Sequence, residues 1–374
     1  MKYFLIAGEQ SGDLHGSNLI KELLKKDPEA DIYCWGGDLM EAAGAKLLMH
    51  YKKTAIMGFL IILKNLRTIK KNFQLCEKDI MDINPDAIIL IDYSGFNLRI
   101  AKFAKPKGFK VLYYISPKFW AWNEKRVKKV KKYVDKMFII FPFEEEFYKK
   151  WDIPVKYVGN PLYDEIKRRM SDMPSKAQIR EDLGIDDRPV IAMLAGSRKH
   201  EVTDILPTMV KVVKYFPNYQ FVLAGVKNLP DDLYETIIGD APIKLIKEKT
   251  YEILTIAEAA MVTSGTATLE TCLLGTPQVV CYTTDLPSLI IGWLVIKVKY
   301  ISLVNLIKND EAVKELVAFK LNEKNLRQEL SGILIGGDKR EKMLSDYKII
   351  KEILGDAGAS EQIAEAIYKS VKEK

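Results

Sequence analysis

The chain has 374 residues, of which 48% are hydrophobic and 29% charged. At roughly 100–200 residues per domain this length predicts two domains, and the composition excludes a disordered, collagen-like or disulfide-built chain. The net charge is a mildly basic +7, and the cysteines (Cys34, Cys76, Cys272, Cys281) form no CxxC pair. Free thiols in a reducing cytoplasm are therefore expected. Glu9 and Asp13 arrive too early in the opening MKYFLIAGEQSGD for a signal peptide. The longest apolar stretch, 286–296, falls short of the roughly 20 residues a spanning helix needs, so no membrane crossing is expected.

In chain order, short apolar runs rich in β-branched residues occur at 3–7, 32–35, 87–91, 111–115, 137–141 and 155–158. They recur at 190–194, 220–223, 243–246, 259–263 and 278–281. Continuous hydrophobicity predicts strands buried on both faces of a parallel sheet, and the amphipathic segments between them predict βαβ units. YFLIAGEQSGDLHG and PVIAMLAGSRKHEV echo each other as strand, glycine-containing loop and helix. The charged stretch 162–189 reads as a linker. The expected fold is α/β, with two Rossmann-like domains whose parallel sheets face a central cleft. The expected bounds are 1–165 and 185–340, with helices over 341–374 packing back on the first domain.

Four loops at predicted strand ends carry the polar residues that chemistry would need. GEQSGD, residues 8–13, directs Glu9 and Asp13 to the ligand side or serves as a capping loop, with His15 just behind it as a secondary acid/base. It is not GxGxxG, so a dinucleotide grip is not expected. LIDYSGFN ends a buried run on Asp92, which is either a general base or a helix cap. GSRKHEV places Gly196, Ser197 and Arg198 at a helix start, either as a diphosphate site or as a surface turn. SGTATLE places Ser264, Gly265 and Thr266 in the same way, with Glu270 one turn on for a ribose diol or for solvent.

The three histidines, His15, His50 and His200, share no metal-type spacing, so no metal or other cofactor is expected. Met57 to Phe73 joins apolar Met57, Phe59 and Leu60 to basic Lys64, Arg67, Lys70 and Lys71. KRVKKVKK at 125–132 follows the aromatic PKFWAW. Such pairings suit an anionic lipid surface, or else a core helix with a solvated face. No nucleic-acid module accompanies them.

Taken together, AGEQSGDLHG, the Met57–Gly58 pair, IDYSGFN, ISPKFWAWNEKRVKKV, FPFEEEFY, VGNPL, AGSRKHEV, SGTATLE and YISLVNL followed by Glu311 and Glu315 resemble the lipid-A-disaccharide synthases. These are GT-B glycosyltransferases of Gram-negative lipid A biosynthesis. The resemblance covers nearly the whole chain. Departures from the family pattern stand at Ser94, Gly95, Ala195, Val304 and Ala318. The resemblance implies an inverting hexosyltransferase that joins UDP-2,3-diacylglucosamine to 2,3-diacylglucosamine 1-phosphate (lipid X), giving a β-1,6-linked disaccharide 1-phosphate and UDP. It implies Asp92 as leading base ahead of Glu9 and His15, and Gly196, Ser197, Arg198, Ser264, Gly265, Thr266, Glu270, Asn305 and Glu311 around the UDP-sugar. It further implies a cytoplasmic enzyme held peripherally on the inner leaflet of the inner membrane, with Met57, Phe59, Leu60, Arg67 and Lys70 toward acceptor and membrane, as a monomer or homodimer. A UDP-sugar 2-epimerase of the same fold is the alternative.

Overall fold

In the computed structural model the structure describes residues 1–54, 66–122, 124–283, 298–356 and 358–373. The chain divides into two compact units, Met1–Asp164 with Asp356–Lys374, and Glu165–Gly355. Among the described residues the first unit holds seven parallel strands: β1 (Lys2–Ala7), β2 (Asp31–Gly36), β3 (Lys46–His50), β4 (Ala87–Ile91), β5 (Lys110–Tyr114), β6 (Lys136–Ile139) and β7 (Val155–Tyr157). Their order is β3-β2-β1-β4-β5-β6-β7. The second unit holds β8 (Val190–Leu194), β9 (Gln220–Gly225), β10 (Ile243–Lys247), β11 (Ala257–Thr263), β12 (Gln278–Tyr282) and β13 (Lys314–Val317), in the order β10-β9-β8-β11-β12-β13. Each sheet is doubly wound, so both units are Rossmann-like.

Side chains alternate across a strand, and both faces of these sheets are covered. On one face of the first sheet Phe4, Ile6, Ile88, Leu90, Val111 and Tyr113 meet Phe73, Cys76, Ile80, Phe96, Ile100 and Val130 from the helices that follow. The helix Gln10–Lys26 buries Leu19, Ile20 and Leu23. The helix Ala359–Lys372 buries Ile363, Ala364 and Ile367 and packs beside it. Asp164 fixes the start of that last helix by accepting from the backbone N–H of Gly358 and of Ser360 (2.6 and 2.9 Å).

Residues 341–374 were expected to pack together on the first unit, and here the structure differs. The helix Arg340–Leu354 belongs to the second unit, where Tyr347 is buried and bonds Gln278 at 3.2 Å. The break comes at Gly355, whose φ of +73° suits a residue without a Cβ. Only the last helix joins the first unit.

Candidate active site

Each doubly wound sheet has a point where successive connections leave in opposite directions, and ligands bind there, beyond the carboxyl ends of the strands. In the first unit that point lies between β1 and β4, which pair Ala7 with Ile91. It therefore brings Gly8 and Glu9 beside Asp92 and Tyr93. In the second it lies between β8 and β11, which pair Leu194 with Val262, and it brings 195–198 beside 264–266. The four loops singled out in the sequence thus converge in two pairs.

The first pair is strained and enclosed. Asp92 and Tyr93 both have φ of +43°, a region non-glycine residues rarely adopt and which persists only when neighbours enforce it. The enforcing neighbour is buried Asn97, whose Nδ2 donates to the carbonyls of Ile91 (3.1 Å) and Asp92 (2.8 Å). The Tyr113 hydroxyl also donates to the Asp92 carbonyl, and the Asp92 N–H donates to Tyr114 at 3.0 Å. The Tyr93 ring lies flat against Gly8, where a Cβ would come within 2.2 Å of it. Its hydroxyl reaches the Thr54 carbonyl at 3.2 Å.

Half-buried Asp92 is pushed up to about 6, first by loss of water and then by the charge of Glu9; Lys118 and the Tyr93 N–H pull the other way. A carboxylate near 6 is matched to taking a proton near neutral pH. His15 is half-buried in the helix that follows Glu9.

Asp13 does not share this role. Its buried carboxylate accepts from the backbone N–H groups of Gly37 (2.8 Å), Leu39 and Met40 (both 3.1 Å), tying the first helix to the short helix after β2. It is scaffold, because three backbone donors occupy its oxygens.

The β5 end contributes residues that the strand pattern does not mark. Ile115, β-branched, sits at φ +64° and swings the chain into Ser116–Lys118, which sets Lys118 close enough to act on Asp92. Buried Glu144 holds this loop: it accepts from Trp120 Nε1 (3.1 Å) and from the Phe141 N–H (3.2 Å). Burial pushes its carboxyl up to about 7. The aromatic PKFWAW beside the basic run reads as either a lipid-facing surface or core. Phe119 and Trp120 are buried, because they complete the core under this loop.

The second pair is open. Ser197, Arg198, Gly265 and Thr266 are exposed, and a Cβ on Gly265 would meet nothing within 4 Å. Gly196 turns the chain at φ +107°. Two amides at this helix start are engaged. Glu201 accepts from the N–H of Ser197 (2.9 Å) and of Arg198 (3.2 Å), with the Arg198 guanidinium 3.4 Å away. An anion here therefore meets a guanidinium and hydroxyls before it meets backbone. The Ser264 hydroxyl donates to the Ile301 carbonyl at 3.0 Å. Glu270, half-buried one turn beyond Thr266, accepts from the Tyr251 hydroxyl at 2.9 Å. Burial raises its carboxyl, and the Tyr251 hydrogen bond and Arg169 oppose that.

Two expected donor contacts lie elsewhere. Asn305 is fully buried: Nδ2 donates to the Val313 carbonyl and to Glu315 (both 2.9 Å), while Oδ1 accepts from the N–H of Ala312 and of Val313. Every polar atom is engaged inside the loop, so Asn305 shapes it and does not face a ligand. Glu311 is exposed and paired with Lys314 at 3.1 Å. The organising acid is Glu315, which accepts from the Ile301 and Ser302 amides, the Ser302 hydroxyl and Asn305.

Met57, Phe59 and Leu60 lie outside the described residues. Arg67 and Lys70 are exposed on the helix Leu66–Ile83, while Phe73 at the end of the expected docking segment is core. Among the described residues no group of three His, Cys, Asp or Glu is placed to hold a metal ion, and no helix is long and apolar enough to cross a membrane.

A family model described as lipid-A-disaccharide synthetase matches residues 3–367. The chain belongs to the lipid-A-disaccharide synthase family. Relatives bearing that name include proteins of Geobacter metallireducens (34% identical, covering 100% of this chain and 98% of that protein) and Syntrophus aciditrophicus (36%, covering 96% and 95%). Among solved structures, the UDP-GlcNAc 2-epimerase of Neisseria meningitidis bound to UDP-GlcNAc superposes with a TM-score of 0.69 at 15% identity, covering 99% of this chain and 100% of that one. A glycosyltransferase of Rickettsia africae superposes with 0.62 at 14%, covering 100% and 99%. At such identities these likenesses establish the GT-B architecture, and the family rests on the sequence match.

Proposed function

We propose that the chain transfers the 2,3-diacylglucosaminyl group of UDP-2,3-diacylglucosamine to the 6-hydroxyl of 2,3-diacylglucosamine 1-phosphate, releasing UDP. The donor is α-linked and the product β-linked, so a single displacement inverts the anomeric carbon. Asp92 takes the proton from the acceptor O6 as that oxygen bonds C1, and the C1–O bond to UDP breaks. Arg198 meets the negative charge growing on the departing diphosphate, and a charge-assisted contact strengthens as the charge develops. Glu270 accepts from the ribose diol. Glu9 keeps Asp92 basic enough to act.

The observation that carries this reading is the family match across 3–367, combined with an aspartate raised to about 6 at the first switch point. UDP release from the diacylated donor should require the acceptor. Release without acceptor, or conversion of UDP-GlcNAc alone to its 2-epimer, would overturn it.

The same reading includes a peripheral hold on an anionic membrane. Exposed Arg67, Lys70 and Lys71 on one helix, and Lys128, Lys129 and Lys132 on the helix Val127–Tyr133, supply the charge. Each is worth about 1 kcal/mol near such a surface and fades with salt. Co-sedimentation with vesicles containing anionic lipid should fall when Lys128, Lys129 and Lys132 become Ser; unchanged binding would remove this surface from the reading.

A further inference from the structure

Behind Glu270 stands a line of side chains that the reaction does not call on. The Tyr251 hydroxyl donates to one Glu270 oxygen at 2.9 Å. The Arg169 guanidinium lies over the Tyr251 ring, 4.7 Å from its centroid. Arg169 Nε donates in turn to Glu165 at 2.6 Å, and Arg168 takes the other side of the same carboxylate at 2.8 Å. Glu165 is buried, with 4% of its side chain exposed. The line starts in a buried, doubly paired carboxylate on the helix Pro161–Ser171. It ends in a half-buried one at the second switch point.

A glutamate on a helix surface has three rotatable bonds, and a ligand that uses it must bear the entropy of ordering them. Here the phenol has already chosen one orientation. It occupies one oxygen and, among the described residues, leaves the other without a hydrogen-bond partner. Tyr251 is itself held by a stacked guanidinium, an arrangement favoured by the ring quadrupole. Pre-ordering of this kind improves binding without adding a contact.

We propose that Tyr251 is a positioning residue for nucleotide recognition. Its hydroxyl fixes Glu270 in the pose that accepts the ribose hydroxyls, and Arg169, anchored by Glu165, keeps the phenol in place. This rests on the reading that Glu270 meets the ribose, and the test separates the two. Calorimetric titration with UDP and with 2′,3′-dideoxy-UDP measures the preference for an intact diol. Tyr251→Phe keeps the ring and its stack. It should weaken UDP by about 10- to 100-fold, the range for one hydrogen bond to a charged group, and leave the dideoxy compound within about twofold. Donor KM should rise with kcat little changed. In a cycle with Glu270→Ala, the double variant should bind UDP no worse than Glu270→Ala alone, since Tyr251 acts only through Glu270. Additive losses, or equal weakening of both nucleotides, would make Tyr251 plain scaffold and overturn the proposal. A Glu270→Ala protein that still prefers the diol would instead refute the ribose reading. Arg169→Leu, which leaves the hydroxyl, should lose a smaller share of the preference. If Tyr251→Phe does not fold, Arg169→Leu decides between positioning and scaffold by the same two titrations.

Discussion

The two switch points share a strand order and differ in almost every physical respect. In the first, IDYS turns through two consecutive left-handed residues under a tyrosine ring, and a carboxylate is drawn partly out of water next to another. In the second, GSR and SGT leave an arginine, hydroxyls and a bare glycine in solvent. One end holds an acid partly out of water beside a second carboxylate, which makes it reluctant to ionise. The other leaves space and positive charge for something large and anionic. On the proposed reading chemistry and recognition are separated by unit, and each can be broken separately.

The largest effect should follow from Asp92→Asn, which keeps the shape and removes the proposed base. Turnover should drop by about 10²–10⁴-fold, the usual worth of a positioned base, with UDP affinity unchanged. Arg198→Ala should do the reverse in kind. UDP affinity should fall by about 10- to 100-fold, as for a charge-assisted contact, and the Asp92 titration should stay in place. Steady-state kinetics together with UDP titration would expose the contrast; if both variants lose both properties alike, the division of labour fails.

Glycine exchanges sharpen it further. Gly8→Ala forces a methyl into the Tyr93 ring. Overpacking of this kind costs about 1–3 kcal/mol, so its melting temperature should fall and activity with it. Gly265→Ala meets open space on extended backbone, so the fold should be indifferent. Weakened UDP binding by a normally stable Gly265→Ala protein would mark close approach of a ligand to that backbone, and full activity would remove Gly265 from the site.

What could be read from the sequence follows from burial. Central strands such as β4 and β8 are buried on both faces and announce themselves as unbroken apolar runs. The edge strands β3 and β13 escape this pattern, because KLLMH and KELV are partly exposed and carry Lys46, Lys314 and Glu315 within them. The paired loops were legible because strand ends and polar residues coincide. Their internal bonding was not. Nothing in SLVNL says that Asn305 turns inward to the 312–313 backbone and Glu315, nothing in GSRKHEV says that Glu201 closes on two amides, and Tyr251 lies 19 residues from the carboxylate it holds. Lys118 and Glu144 stood within recognisable motifs, but that Lys118 acts on Asp92 and that Glu144 takes the Trp120 N–H depends on the path of the chain after the left-handed turn at Ile115.

The smallest effect, and the sharpest test of the strained end, is its pH dependence. Asp92 must be ionised to accept a proton, so kcat/KM should rise with pH through an inflection near the value of about 6 to which burial and Glu9 push it. Glu9→Gln removes the second cause and leaves the first, so the inflection should move down only part of the way toward 3.8, the ordinary value. Stability carries the same sign. A carboxyl raised on folding binds its proton more tightly in the native state, so between 3.8 and about 6 the native chain loses stability as pH rises. Below that window both states are protonated and nothing is lost; above it the full cost is present. Asp92→Asn should therefore melt higher than the parent at pH 8, with the gain shrinking as pH falls through the window. Asp13→Asn, which weakens bonds to three backbone amides, should melt lower instead. An Asp92→Asn protein that melts lower than the parent at pH 8 would mean that the carboxylate stabilises its loop, and the strained end would be scaffold like Asp13.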